Sequence, residues 1–138
     1  MRDLPRQLSI EELAELFSGR TPFVERLAQL EDPLDHAHEV ARSLTSEEKF
    51  MALETHPRIG ERSAEQRGDD PKVLAELAEL NRAYEEKFGF RFIVFVNRRS
   101  RSELVPVLRE RLERTRDQEM DTALGELVAI AKDRWSRQ

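Results

Sequence analysis

The 138-residue sequence contains no cysteine. Disulfide bonds, thiolate metal sites and cysteine nucleophiles are therefore excluded, and the absence fits a reducing compartment such as the cytoplasm. No apolar run approaches the roughly 20 residues that cross a membrane, and the first five residues, MRDLP, lack the apolar core of a signal peptide. We therefore expect a cytoplasmic protein with no membrane partner.

Positive charges are outnumbered by negative ones. The 23 Lys and Arg residues against 28 Asp and Glu residues give a net charge of -5. A nucleic-acid binder normally presents a basic face, so no nucleic-acid partner is expected. The arginine-rich stretch between Arg98 and Arg116, which includes Arg111, is interspersed with acidic residues. This mixture favours a solvated helix surface.

Glycine and proline are few, at 5 and 6 residues, while hydrophobic and charged residues make up 38% and 37% of the chain. This composition is typical of amphipathic helices that each bury one face. Helix starts are predicted where a capping side chain precedes Glu, Gln or Pro at the helical spacing. These starts are Ser9, Thr21-Pro22, Asp32-Pro33, Thr45, Asp70-Pro71 and Thr115. A further helix is expected near Ser102, with Pro106 close to its first turn. The sequence predicts an all-α fold of about seven helices in one domain, residues 1–138.

One segment departs from this pattern. The residues from Phe90 to Val96, FRFIVFV, are aromatic and β-branched, which is typical of extended chain. No second run of this kind offers a partner strand, so an extended buried segment is expected rather than a sheet. Its backbone N–H and C=O groups must then find other partners, and a small ligand rich in amide groups is one candidate.

His56 is the leading candidate for acid/base chemistry. It precedes Pro57 at the end of a predicted helix, because the residue before proline disfavours helical dihedral angles. Histidine transfers protons near neutral pH, and a carboxylate such as Glu65 would orient its ring. On spacing alone, however, a structural turn is the more frequent explanation. The other two histidines, His36 and His38, point in different directions along a helix and are expected at the surface.

Other kinds of site find no support in the sequence. No HExxH, EF-hand, GxSxG or glycine-rich phosphate-loop pattern occurs, so neither a metal ion nor a nucleotide is expected. Arg134, on the last predicted helix, could supply a fixed positive charge for a carboxylate. Taken alone, it is an ordinary arginine at a helix end.

Four segments together resemble the 2-oxo-4-hydroxy-4-carboxy-5-ureidoimidazoline (OHCU) decarboxylase family of urate degradation, part of purine catabolism. They are HPRIG at 56–60, EQ at 65–66, LNRAYEEKFGFRFIVFV at 80–96 and RLERTRDQEMDTALGELVAIAKDRW at 111–135. The resemblance implies an all-helical fold, usually homodimeric, that works without a metal or organic cofactor. It implies a carboxy-lyase that converts a ureidoimidazoline substrate into (S)-allantoin.

The resemblance also implies roles for individual residues. His56 matches the catalytic histidine and Glu65 its partner carboxylate. The positions that match substrate contacts are Pro57, Gln66, Phe92, Val94 and Arg134, with Phe92 and Val94 contributing main-chain groups.

Two departures from the family pattern bear on the substrate. The span between Gly60 and Glu65 is shorter than usual and has Arg62 where a serine is common, with Ser63 one position away. Arg91 replaces the proline of the usual FGFPF. Two alternatives therefore remain beside OHCU decarboxylation: a related decarboxylase for another ureido acid, and a helical interaction module without catalysis.

Overall fold

The computed structural model of the chain describes residues 4–56 and 70–137. In these two ranges it forms seven α-helices and no β-strand, which confirms the predicted all-α class. The helices are α1 (Ile10–Leu16), α2 (Pro22–Leu27), α3 (Ala37–Ser43), α4 (Ser46–Glu54), α5 (Pro71–Phe88), α6 (Arg101–Leu112) and α7 (Arg116–Arg137). None of these helices is both long and apolar enough to cross a membrane.

Most of the predicted helix starts are confirmed. Ser9 and Thr45 form complete capping boxes, in which each side chain accepts a hydrogen bond from the backbone N–H three residues later. Helix α6 is capped by Ser100 and begins just before the predicted Ser102. Pro106 consequently lies inside α6, beyond the first turn, where the sequence interpretation had placed it too near the start.

The helix start predicted at Asp32-Pro33 is wrong. Asp32 has a left-handed backbone, with φ of 52°, and its carbonyl accepts hydrogen bonds from the N–H groups of Asp35 and His36. The chain therefore turns before α3 begins at Ala37. The side chains expected to be buried do enter the core, namely Leu34, Ala37, Ala41 and Leu44.

Helix α7 is the central element of the part of the fold that positions the cleft described below. It packs against α1, α3 and α4, while α5 and α6 pack against each other. Its buried side chains follow helical spacing along almost its whole length, from Met120 to Trp135. The ends of α1, α4 and α7 are thereby brought close to one another.

The segment from Phe90 to Val96 links the α5–α6 pair to this set of helices. It has no helical or strand structure between Arg91 and Val96, and Phe90, Phe92, Ile93 and Val94 are buried. The predicted extended buried segment is thus confirmed, with its last residue at the surface.

The prediction of a solvated arginine surface fails at Arg111, which is only 5% exposed. Its charge lies beside the carboxylate of Glu119, which is completely buried. The sequence did contain a signal for this burial. Arg111 follows Leu104 and Leu108 at seven and three residues, and therefore lies on the apolar stripe of α6.

Candidate active site

A cleft of about 400 Å³ lies where α4, the extended segment and α7 meet. Its walls include His56, Val94, Phe95, Arg98, Ile130 and Arg134. Three of the sequence-predicted site residues, His56, Val94 and Arg134, thus line one cavity although they are far apart in the chain. A half-open cavity with a few polar groups is the usual setting of a small-molecule site.

The backbone at His56 is held by the end of α4 and by Arg91. The N–H of His56 donates to the carbonyl of Leu53 at 3.2 Å. The Nη1 atom of Arg91 donates to the carbonyls of Glu54 and His56, at 2.7 and 2.9 Å. Carbonyls at a helix C-terminus need such donors, and a guanidinium also suits the negative end of the helix dipole. Arg91, which departs from the family pattern, therefore ties the candidate histidine to the extended segment.

Arg134 reaches the same corner of the cleft from α7. Its Nη1 atom donates to the carbonyl of Leu16 and to the hydroxyl of Ser18, both at 2.8 Å. The Ser18 hydroxyl lies 3.5 Å from Nδ1 of His56. The turn after α1 therefore connects the two candidate residues, and sequence reasoning did not identify Ser18. No local pattern marks this serine, because its contacts span 38 and 116 residues.

Side chains of Arg99, which precedes α6, of Arg111 on α6 and of Glu126 on α7 anchor alternate residues of the extended segment. The carbonyl of Ile93 accepts from Nη1 of Arg111 at 2.6 Å. The N–H of Phe95 donates to Oε1 of Glu126 at 3.4 Å, and its carbonyl accepts from Nη2 of Arg99 at 2.6 Å. These contacts supply part of the hydrogen bonding that an unpaired strand lacks.

Val94 lies between the two anchored residues, and its main-chain groups form no hydrogen bond to any residue in the described ranges. In extended chain, neighbouring residues direct their backbone polar groups to opposite sides. The Val94 groups therefore point away from the anchoring side, and the residue lines the cleft. Phe92 differs, since it does not line the cavity. Its ring is buried against Tyr84, with centroids 5.2 Å apart, and under the guanidinium of Arg111 at 4.5 Å.

A buried ionic cluster lies behind the segment. Glu119 accepts hydrogen bonds at Oε1 from the Tyr84 hydroxyl at 2.5 Å and from Nε of Arg111 at 2.7 Å. Arg114 approaches its second oxygen at 3.3 Å. Burial, followed by the hydrogen bond to Glu119, raises the pKa of the Tyr84 hydroxyl well above its ordinary value. The cluster thus keeps Arg111 in place to bind the Ile93 carbonyl.

Three predicted site residues, Pro57, Glu65 and Gln66, lie outside the described residues, as do Arg62 and Ser63. The pairing of His56 with Glu65 stays a prediction. Among residues 4–56 and 70–137, no group of three or more His, Asp or Glu side chains is arranged to hold a metal ion. His36 and His38 lie apart from the cleft, near Glu39 and Asp121 respectively.

Comparison with known sequences shows which protein family the chain is related to. Residues 3–136 match the sequence model of the family described as OHCU decarboxylase. The chain belongs to the OHCU decarboxylase family. The resemblance drawn from the four segments is confirmed.

Individual members of the OHCU decarboxylase family agree with this assignment. The OHCU decarboxylase of Halalkalicoccus jeotgali is 29% identical over 99 residues, which cover 63% of this chain and 56% of that protein. The OHCU decarboxylase of Haloferax volcanii is 24% identical over 142 residues, covering 89% and 84%. A crystal structure of an OHCU decarboxylase in the presence of (S)-allantoin superposes with a TM-score of 0.78 at 25% identity, covering 91% of this chain and 96% of that one.

Proposed function

We propose that this chain decarboxylates 2-oxo-4-hydroxy-4-carboxy-5-ureidoimidazoline to (S)-allantoin, with His56 as the acid/base residue. The observation that carries the proposal is the convergence of His56, Val94 and Arg134 on one cleft in a member of the OHCU decarboxylase family. A related protein has been crystallised with (S)-allantoin, which supports this choice of product.

Arg134 would orient the substrate carboxylate. Its Nη1 atom is held by the Leu16 carbonyl and by Ser18, so the guanidinium has a fixed position in the cleft wall. A fixed planar cation is suited to a carboxylate, because its N–H groups match the two oxygens. Positioning of this kind supplies much of the advantage of an enzyme that forms no covalent intermediate.

The extended segment would bind the ring of the substrate. When the C–C bond between carbon 4 and the carboxylate breaks, CO₂ leaves and the electron pair moves into the adjacent C=N bond. The ring nitrogen takes up a proton, and an enol remains across carbons 4 and 5. The Val94 N–H and C=O lie in the cleft wall with no protein partner in the described ranges, and they could pair with the amide groups of the substrate. The main chain of Phe92 would extend the contact, as the family resemblance implies.

His56 would then deliver a proton to one face of carbon 5, which carries the ureido group, while the carbon-4 hydroxyl loses its proton and becomes the carbonyl of allantoin. His56 is half-buried at the cleft. Arg91 binds its main-chain carbonyl, and the Ser18 hydroxyl lies beside Nδ1 of its ring. Glu65 is proposed as the carboxylate that assists it, with Pro57 and Gln66 as further substrate contacts. A single acid on one side of a planar intermediate accounts for formation of one enantiomer.

Family membership supports four further proposals about the protein as a whole. Residues 1–138 would fold as one domain, and two copies would form a homodimer. The enzyme would act in the cytoplasm and would need neither a metal ion nor an organic cofactor.

The decisive experiment follows the chirality of the product. The unstable substrate is generated in situ from urate, and circular dichroism records formation of optically active allantoin. We expect the purified protein to accelerate the reaction and to give the (S) enantiomer. A folded protein that leaves the spontaneous, racemic reaction unchanged would reject the decarboxylase proposal and favour the interaction module.

The role of His56 is tested by His56→Ala. Loss of an acid/base group typically costs about 10²–10⁴-fold in rate. We expect a loss of this size with the far-ultraviolet circular dichroism spectrum unchanged. His38→Ala is the matched control, because His38 is half-exposed and lies outside the cleft. Equal activity in the two variants would contradict the assignment.

A further inference from the structure

Ser18 occupies a special position in the fold, between the two candidate residues of the cleft. Its hydroxyl oxygen is 2.8 Å from Nη1 of Arg134 and 3.5 Å from Nδ1 of His56. The serine belongs to the turn between α1 and α2, so it joins a third part of the chain to α4 and α7. All three groups are partly buried.

The chemistry of the groups fixes the direction of one of these hydrogen bonds. A guanidinium only donates, so the Ser18 oxygen accepts from Arg134. The Ser18 oxygen has a second lone pair, so its contact with Nδ1 of His56 fits either tautomer of the neutral ring. Donation to Nδ1 is the arrangement that gives the Ser18 proton an acceptor in the described ranges. In that arrangement Nδ1 carries no proton, and the proton of the neutral ring is on Nε2.

The backbone around Ser18 supports a fixed placement. Ser18 has a left-handed conformation, with φ of 66°, which costs a non-glycine residue roughly 1 kcal/mol or more. The next residue, Gly19, packs so closely on Thr55 that an added Cβ would lie 2.9 Å from the Cβ of Thr55. The turn is thus docked against the residue that precedes His56, and the hydroxyl is held near the imidazole by main-chain packing.

We infer that Ser18 is a positioning residue that holds neutral His56 in the Nε2–H tautomer and links its ring to Arg134. The effect of this tautomer on catalysis rests on the proposed function. An imidazole that delivers a proton to one face of the substrate must carry its N–H on the side that faces the substrate. The tautomer itself is a property of the folded protein and does not depend on which substrate is used.

Nuclear magnetic resonance of protein labelled with ¹⁵N-histidine tests the inference directly. The chain has 3 histidines, so His56→Gln suffices to assign the His56 signals. At a pH where the ring is neutral, we expect the wild-type Nδ1 shift of an unprotonated nitrogen and the Nε2 shift of a protonated one. A protonated Nδ1 would overturn the inference.

The variant Ser18→Gly removes the hydroxyl and suits the left-handed backbone, so it should fold at least as well as the wild type. We expect its His56 nitrogen shifts to move towards tautomer averaging, and the signals of His36 and His38 to stay unchanged. Loss of one hydrogen bond to the acid should lower kcat about tenfold, with a smaller change in KM. Ser43→Ala is the control, since the Ser43 hydroxyl donates to the Val40 carbonyl of its own helix.

The two proposals fail in distinguishable ways. If Ser18→Gly leaves both the nitrogen shifts and kcat unchanged, the positioning role is wrong and the decarboxylase proposal stands. If the wild type shows no decarboxylation, the proposed function is wrong, while the nitrogen shifts still decide whether Ser18 sets the tautomer.

Discussion

Two arginines in this fold make the same contact in different surroundings. Arg111 donates to the carbonyl of Ile93 at 2.6 Å, and Arg134 donates to that of Leu16 at 2.8 Å. The Arg111 side chain is 6% exposed and pairs with the fully buried carboxylate of Glu119. Arg134 is partly exposed in the cleft wall, where it also contacts the neutral hydroxyl of Ser18.

This difference indicates that the buried cluster stabilises the fold and that the cleft serves the reaction. A buried charge is costly unless a charge of opposite sign accompanies it, so the cluster around Glu119 must be complete for the fold to be stable. Polar groups at an open cleft are partly solvated and can serve a ligand at a smaller cost in stability. We expect substitutions in the cluster to act on the free energy of unfolding, and substitutions at the cleft to act on the reaction.

The largest effect should come from Glu119→Gln. The substitution keeps the shape of the side chain but leaves the Arg111 cation buried without its carboxylate. Breaking a buried pair in this way typically costs about 3–5 kcal/mol. Urea unfolding followed by circular dichroism should show a loss of this size in the free energy of unfolding.

Glu76→Gln provides the control for that experiment. Glu76 pairs with Arg109, but the two side chains are 38% and 60% exposed. Exposed pairs contribute about 0–1 kcal/mol. Equal destabilisation by Glu119→Gln and Glu76→Gln would contradict the separate role that we assign to the buried cluster.

The contrast also separates what the sequence could predict from what it could not. Helix caps such as Ser9 and Thr45 are local signals, because the side chain and the N–H that it binds are three residues apart. The apparent cap at Asp32 failed since the same residue type also stabilises left-handed turns. The burial of Arg111 was visible in the stripe of α6, but the charge pattern around it favoured the surface.

The cleft was beyond prediction from spacing. Ser18, His56, Val94 and Arg134 meet only when α1, α4, the extended segment and α7 are packed together. The family resemblance pointed to three of these four residues because their motifs carry them. It did not point to Ser18, whose role depends on the shape of the turn after α1.

The next largest effect is expected from a substitution in the turn after α1, which lies beside the cleft. Gly19→Ala places a Cβ 2.9 Å from the Cβ of Thr55, so the turn and the end of α4 must move apart. Overpacking of this kind costs about 1–3 kcal/mol. Since His56 follows Thr55, we also expect a fall in kcat that exceeds the effect of lost stability. Both quantities are measured on the same preparation, by urea unfolding and by the chiral assay.

Gly125→Ala is the matched control for Gly19→Ala. Gly125 lies inside α7, and an added Cβ would meet the His38 ring at an ordinary 3.7 Å. Alanine is favoured over glycine within a helix by roughly 0.5–1 kcal/mol, so this variant should be slightly more stable and fully active. If Gly19→Ala behaves like Gly125→Ala, the close contact with Thr55 does not position His56.

The last prediction concerns the pH dependence of the buried cluster. The pKa of Tyr84 is raised in the folded state, so above the ordinary tyrosine pKa of about 10 the unfolded chain loses this proton first. The contribution of Tyr84 to stability is therefore complete below pH 10 and is lost as the pH rises further, at about 1.4 kcal/mol per pH unit. Tyr84→Phe removes the ionisable group and should show a correspondingly flatter decline in urea unfolding.

Absorbance of the phenolate gives an independent measurement, because Tyr84 is the only tyrosine in the chain. If the cluster is as closed as its contacts indicate, the phenolate should appear only together with loss of the circular dichroism signal. Reversible ionisation near pH 10 with the helices intact would mean that water reaches the Tyr84 hydroxyl. The cluster would then be open to water as the cleft is, and Arg111 and Arg134 would differ only in how much water reaches them.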